Sequence, residues 1–267
     1  MVIKLKKYIH ILKAELMTSL QYLPNTAFGV FTFFIFVYIM FMVWQYIYSD
    51  PQELINGYSI TQMTWYLLVT EILYTSLGGR KFCKEICKDV KSGNITYNLN
   101  KPYSYILYAL FKHLGSMILK FVVDIIIGVA LGFILIQSMP EQTVLSVIFV
   151  LVTCFLAEII SIFLIISIGL LSFFIEDANP FYWLYSKMIL IFGTFFPIEF
   201  FPEYIRGVLR YSPIYVISYG PARLFVNFDI NEFINIFIAQ IIYIFISYGI
   251  CSFLYAKGSK RLNVNGG

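Results

Sequence analysis

Six long apolar runs account for most of this chain: residues 26–48, 60–77, 106–136, 144–174, 181–196 and 233–254. A helix rises about 1.5 Å per residue, so about 20 apolar residues cross a hydrocarbon core about 30 Å thick. Four runs reach that length. The second comes close, and the fifth stops short at Pro197. A bilayer is therefore the predicted solvent. The predicted fold is an all-α integral membrane protein with six transmembrane helices, residues 1–267 forming a single domain.

Composition supports this. Hydrophobic residues make up 60% and charged residues 13% of the chain, where a soluble domain carries about 25% charged residues. The formal charge of +4 does not suggest nucleic-acid binding, because the basic residues sit beside the apolar runs. The first run begins only at Thr26 and no small-residue cleavage pattern follows it, so it is expected to stay in the mature protein. Of the 4 cysteines, Cys154 and Cys251 lie inside apolar runs. Cys83 and Cys87 share a helix face, are expected to be reduced, and do not make a zinc site on their own.

Lysine and arginine set the orientation. Lys4, Lys6, Lys7 and Lys13 precede the first run. Arg80, Lys81, Lys84, Lys88, Lys91 and Lys101 lie between the second and third, and Lys257, Lys260 and Arg261 follow the sixth. Both termini and the second connection are thus predicted to be cytosolic. Glu176 and Asp177 in the fourth connection, and Arg206, Arg210 and Arg223 in the outer segment, depart from a regular pattern without reversing it.

Residues 1–24 read as an interfacial amphipathic helix. Leu5, Ile9, Leu12, Leu16, Leu20 and Leu23 recur at steps of three and four, with lysines opposite, until Pro24 and Asn25 break the pattern. Residues 79–103 form the most polar stretch. Gly78-Gly79 stops the second run, and Phe82, Ile86 and Val90 mark one face of a short helix. Gly93-Asn94 ends that helix, and Lys101-Pro102 enforces an extended entry into the third run. Pro140 and Glu141 mark a tight outer turn. Residues 197–232, punctuated by prolines and rich in aromatics, read as an outer re-entrant or interfacial segment with a short helix at 204–211.

The chain carries no phosphate-binding Gly-x-x-x-x-Gly-Lys-Ser/Thr loop, no Gly-x-Ser-x-Gly elbow and no His-Glu-x-x-His helix. With only His10 and His113, there is little material for histidine catalysis. Charges inside the apolar runs are Glu71, Lys112, Lys120, Asp124, Glu158 and Lys187. An intramembrane charge costs about 2.5–3.5 kcal/mol on insertion scales and calls for a partner, water or an end position. Lys112 is placed to snorkel inward. Lys120 and Asp124 stand one turn apart, in position to pair. Glu71 and Glu158 either line a polar path or clamp helices together with Lys187. The first possibility keeps open an ion-gradient carrier using Glu71, Asp124 or Glu158. A non-transporting immunity or assembly protein is a further alternative.

The stretch Asp89-Val-Lys-Ser-Gly93-Asn-Ile95-Thr-Tyr-Asn-Leu99-Asn-Lys-Pro102 resembles the Asp-hydrophobic-x-x-Gly-x-hydrophobic-x-x-x-Leu-x-basic-Pro run of type-2 ABC exporter permeases. The amphipathic N-terminus and the segment Pro197-Ile-Glu-Phe-Phe-Pro202 are similar to the same family, with Lys101 standing where arginine is frequent. The resemblance implies a six-span permease of a bacterial cell membrane. It would pair with an identical or paralogous permease and serve two copies of a separate ATPase subunit. ATP and magnesium would be bound by that ATPase and not by this chain. The cytosolic helix would be the coupling helix, with Arg80, Lys84, Glu85, Lys88, Asp89, Lys91 and Gly93 as its contact residues. The resemblance also implies export as the direction.

Overall fold

The computed structural model describes residues 2–21, 26–50, 52–95, 101 and 103–265. Among these the chain is helical, with no strand beyond one isolated bridge between Ile55 and Tyr58. Hydrocarbon offers the backbone no hydrogen-bond partners, and a helix satisfies its N–H and C=O groups internally. The main elements are α1 (Val2–Gln21), α2 (Thr26–Ile47), α3 (Ile60–Ser76), α4 (Gly79–Lys91), α5 (Tyr105–Ile136) and α6 (Val144–Leu170). Then come α7 (Asn179–Ile189), which passes into a π-helical turn at Leu190–Phe195, and α8 (Glu203–Arg210). A second π-turn at Tyr215–Tyr219 leads into α9 (Gly220–Val226), and α10 (Ile230–Asn265) ends the chain.

Four segments are long and apolar enough to cross a membrane: Gly29–Ile47, Tyr105–Ile136, Val144–Phe173 and Ile230–Arg261. The second and fifth predicted spans are built differently. Helix α3 has 17 residues, about 25 Å of rise, and α7 has 11 before its π-turn. Residues 63–73 of α3 are all buried. It is packed against α2, α5 and α9, so protein rather than lipid surrounds much of it. Inside this enclosed helix Thr64 donates to the Ile60 carbonyl, and Thr70 to those of Tyr66 and Leu67, so their hydroxyls are satisfied within α3 itself.

Local chemistry fixes the boundaries. Ser59 and Gln62 form a reciprocal capping box at the start of α3, and Thr143 and Ser146 form another at the start of α6. Gly78 has φ +55°, a left-handed conformation that glycine adopts without a Cβ penalty. It turns the chain from α3 directly into α4. Gly93 (φ +73°) follows the end of α4. The predicted break at Pro24 and Asn25 lies outside the described residues, as do residues 96–100 and Pro102 of the extended entry to α5.

Two apolar cores occupy opposite ends of the bundle. One gathers Trp44, Tyr58, Trp65, Tyr66, Ile198 and Tyr219. The chain from Tyr215 to Val226 returns into this end and is largely buried, with α9 packed between α3 and α6. Arg206 ties the preceding turn by donating to the carbonyls of Glu199 and Phe201, at 3.0 and 3.1 Å. Tyr58 donates to the Glu199 carboxylate at 3.1 Å, and Tyr219 also donates to it. The second core joins α4, α5 and α6 through Phe82, Ile86, Tyr105 and Ile166.

Close approach at glycines sets several helix spacings. A Cβ on Gly115 would fall 2.5 Å from the Leu12 carbonyl, where α1 lies on α5. A Cβ on Gly169 of α6 would fall 2.6 Å from Ile86 Cβ of α4. The Gly169→Ala variant should therefore lose about 1–3 kcal/mol of stability, the usual cost of overpacking. Gly249→Ala, with nothing within 4 Å of the added Cβ, should lose none. Thermal unfolding of the two variants in detergent checks the contrast, and equal midpoints would contradict the packing described.

Candidate functional site

Helix α4 has two dissimilar faces. Phe82, Cys83, Ile86, Cys87 and Val90 are buried against α5 and α6. Arg80, Lys81, Lys84, Lys88 and Lys91 are all exposed. The predicted stripe of Phe82, Ile86 and Val90 is thus the inner face, widened by the two cysteines. Lys88 and Lys91 lie in the last turn and complement the helix macrodipole. Arg80 and Lys81 stand in the first turn, where no acidic residue accompanies them. Cations there oppose the dipole by about 0.3–1 kcal/mol each. Helix stability does not account for them, whereas an anionic partner surface would.

The two carboxylates expected among the contact residues also reach α5. Glu85 meets Lys112 Nζ at 3.4 Å, and Asp89 accepts from the Tyr105 hydroxyl at 3.0 Å. Lys112, expected to snorkel, reaches Glu85 of the polar helix and is the α5 end of this tie. At the elbow, His113 Nε2 lies 2.7 Å from the Leu77 carbonyl and donates to it. Its ring stacks on Phe82 at 3.8 Å between centroids. Tyr105, Lys112 and His113 escaped the sequence reading as contributors to this face. The signal available was the pair of carboxylates, Glu85 and Asp89, four residues apart on α4 and in need of donors from a neighbouring helix.

The connection between α6 and α7 flanks the cationic face. Asp177 accepts hydrogen bonds from the backbone and side chain of Asn179. These bonds hold its carboxyl below the usual range, the Asn179 backbone N–H being the larger cause. The Cys87 thiol donates to the Gly169 carbonyl of α6 at 3.9 Å. Cys83 and Cys87 are both buried, so they do not report on the solvent around α4. Among the described residues no group of His, Cys, Asp and Glu is arranged to hold a metal.

The intramembrane charges form a second assembly around the end of α3. Glu71, Asp124 and Glu158 are 4%, 2% and 2% exposed, and one carboxylate oxygen each of Glu71 and Glu158 is buried without a hydrogen-bond partner. Lys120 and Asp124 do not pair directly within ion-pair distance. Thr75 stands between them, its hydroxyl donating to Asp124 at 3.0 Å and its carbonyl receiving the Lys120 ammonium. Ser76 donates to Glu158 at 2.7 Å, joining α3 to α6. Lys187 forms no ion pair with Glu71 or Glu158 among the described residues, so the clamp through Lys187 is absent. Thr75 and Ser76, ordinary in the sequence, are the links that matter.

Removing such a link leaves a buried carboxylate without its donor, a loss of about 1–2 kcal/mol. Thr75→Val should lower the thermal midpoint in detergent by that equivalent, and Thr75→Ser should restore it. Matching midpoints for Thr75→Val and the parent would contradict the arrangement.

No curated protein matches the chain by sequence. The model of the ABC-2 family transporter protein matches residues 34–266, which takes in the latter part of α2 and every element after it, including α4 and the buried polar groups. This multi-pass membrane protein belongs to the ABC-2 family of ABC transporter permeases.

Proposed function

We propose that this chain is the membrane-spanning half of an ATP-driven exporter, with six spans, both termini in the cytosol of a bacterial cell, and a separate ATPase subunit docking on α4. In this reading α3 and α7, with its π-turn, complete the six spans, and residues 197–232 dip into the outer leaflet. Two such permeases, identical or paralogous, enclose the path, and two ATPase subunits bind ATP and magnesium beneath them. The observation that carries the reading is the surface of α4. Five cations face outward, its apolar stripe is buried, and its two carboxylates contact Lys112 and Tyr105 of α5. A rigidly backed cationic helix is suited to receive a push from an acidic groove on a soluble partner.

The backing explains how force would travel. Movement of α4 carries α6 through the contact at Gly169, and α5 through Glu85–Lys112 and Asp89–Tyr105. It carries α3 through Gly78, which allows no intervening loop. An ion-gradient mechanism finds less support. Asp124 and Glu158 already accept hydrogen bonds from Thr75 and Ser76, as structural ties between helices do.

Reversing two outward charges, Lys84→Glu with Lys88→Glu, should weaken ATPase binding by about ten-fold or more. ATP-dependent transport should fall with it. The thermal midpoint of the permease alone should stay near the parent's, since both side chains are exposed. Copurification with the ATPase and transport in vesicles measure the effect. Undiminished binding and transport in the double variant would remove α4 as the docking element.

A further inference from the structure

A cavity of about 480 Å³ lies where α1 crosses the α3–α4 elbow and α5. Its volume falls within the range of pockets that take small ligands. Helix α1 contributes Glu15, Thr18 and Ser19, α4 contributes Lys81, and α5 contributes Lys112 and Lys120. Three ammonium groups thus face Glu15 and Glu85, the other lining carboxylate. Glu85 is engaged by Lys112 at 3.4 Å. Among the described residues Lys81 forms no ion pair, whereas Lys120 is held by the Thr75 carbonyl. Lys81 is therefore the cavity's uncommitted cation, with the Ser19 hydroxyl on the α1 wall.

The outer side of α1 indicates what fills it. Ile9, Met17 and Leu20 are 40%, 65% and 45% exposed, on a helix whose other side, with Tyr8 buried, packs on α5. An exposed apolar edge of this kind lies among acyl chains, so phospholipid headgroups stand at the mouth of the cavity. We infer that the cavity binds the headgroup phosphate of an anionic phospholipid from the leaflet in which α1 lies. The phosphate sits against Lys81, and the hydroxyl of Ser19 donates to its oxygens. Lysine serves here as a point charge toward phosphate. The lipid ties α1 to the elbow across this cavity.

The test uses the isolated permease, so its outcome does not depend on docking of an ATPase. Retention of phosphatidylglycerol and of phosphatidylcholine is measured by native mass spectrometry after exchange from mixed micelles. Phosphatidylglycerol should be retained in preference, and Lys81→Gln should weaken its retention about five-fold, the effect of one lysine near an anionic headgroup. Ser19→Phe, which fills the cavity from α1, should lower retention at least as far. Lys81 is exposed, so that variant remains decisive if the bulkier one folds poorly. Equal retention of the two lipids, or full retention in Lys81→Gln, would overturn the assignment. Displacement of phosphatidylglycerol by millimolar inorganic phosphate would overturn it in favour of a soluble anion.

Discussion

The contact between Ile86 of α4 and Gly169 of α6 determines which way the polar helix can face. There is no space for a Cβ between them, so the apolar side of α4 is pressed against α6. Once that side is fixed, the 100° step per residue leaves Arg80, Lys84, Lys88 and Lys91 only the outward direction. Glu85 and Asp89, on the flank, meet Lys112 and Tyr105 of α5. The cationic surface is therefore a consequence of packing, and each cation is held in place by what lies behind it. Docking on such a helix moves its supports as one body, because packed interfaces shift between discrete arrangements rather than deform smoothly.

Helix α3 plays the corresponding role inside the bundle. It is enclosed by α2, α5 and α9, which releases it from the need to be apolar all round. Thr75 and Ser76 use that freedom to reach Asp124 on α5 and Glu158 on α6. Short hydroxyl residues suit the task because they donate without forcing the helices apart. The elbow at Gly78 then joins this tied helix to α4 without slack. The arrangement connects the cationic surface to the middle of the bundle through side chains of modest size.

Much of this was legible in the sequence. The long apolar runs at 106–136, 144–174 and 233–254 became single helices because length and hydropathy alone decide such segments. The stripe of Phe82, Ile86 and Val90 and the glycines at 78 and 93 placed α4 closely. The second and fifth runs were harder, because hydropathy measures exposure to lipid and α3 is wrapped in protein. Partners of the buried charges were not legible. Nothing in the spacing of Lys120 and Asp124 reveals that Thr75 from another helix stands between them. The contacts of Glu85 and Asp89 depended in the same way on which α5 side chains came opposite.

The account stands on the side of the membrane that α4 faces. Two positions can be compared in a background lacking the native cysteines: Lys88→Cys on α4, and Gln52→Cys in the turn between α2 and α3. Each is treated with a membrane-impermeant maleimide on intact cells and again after permeabilisation. The account predicts labelling of the Gln52→Cys variant on intact cells and of the Lys88→Cys variant only after permeabilisation. Labelling of the Lys88→Cys variant on intact cells would contradict it.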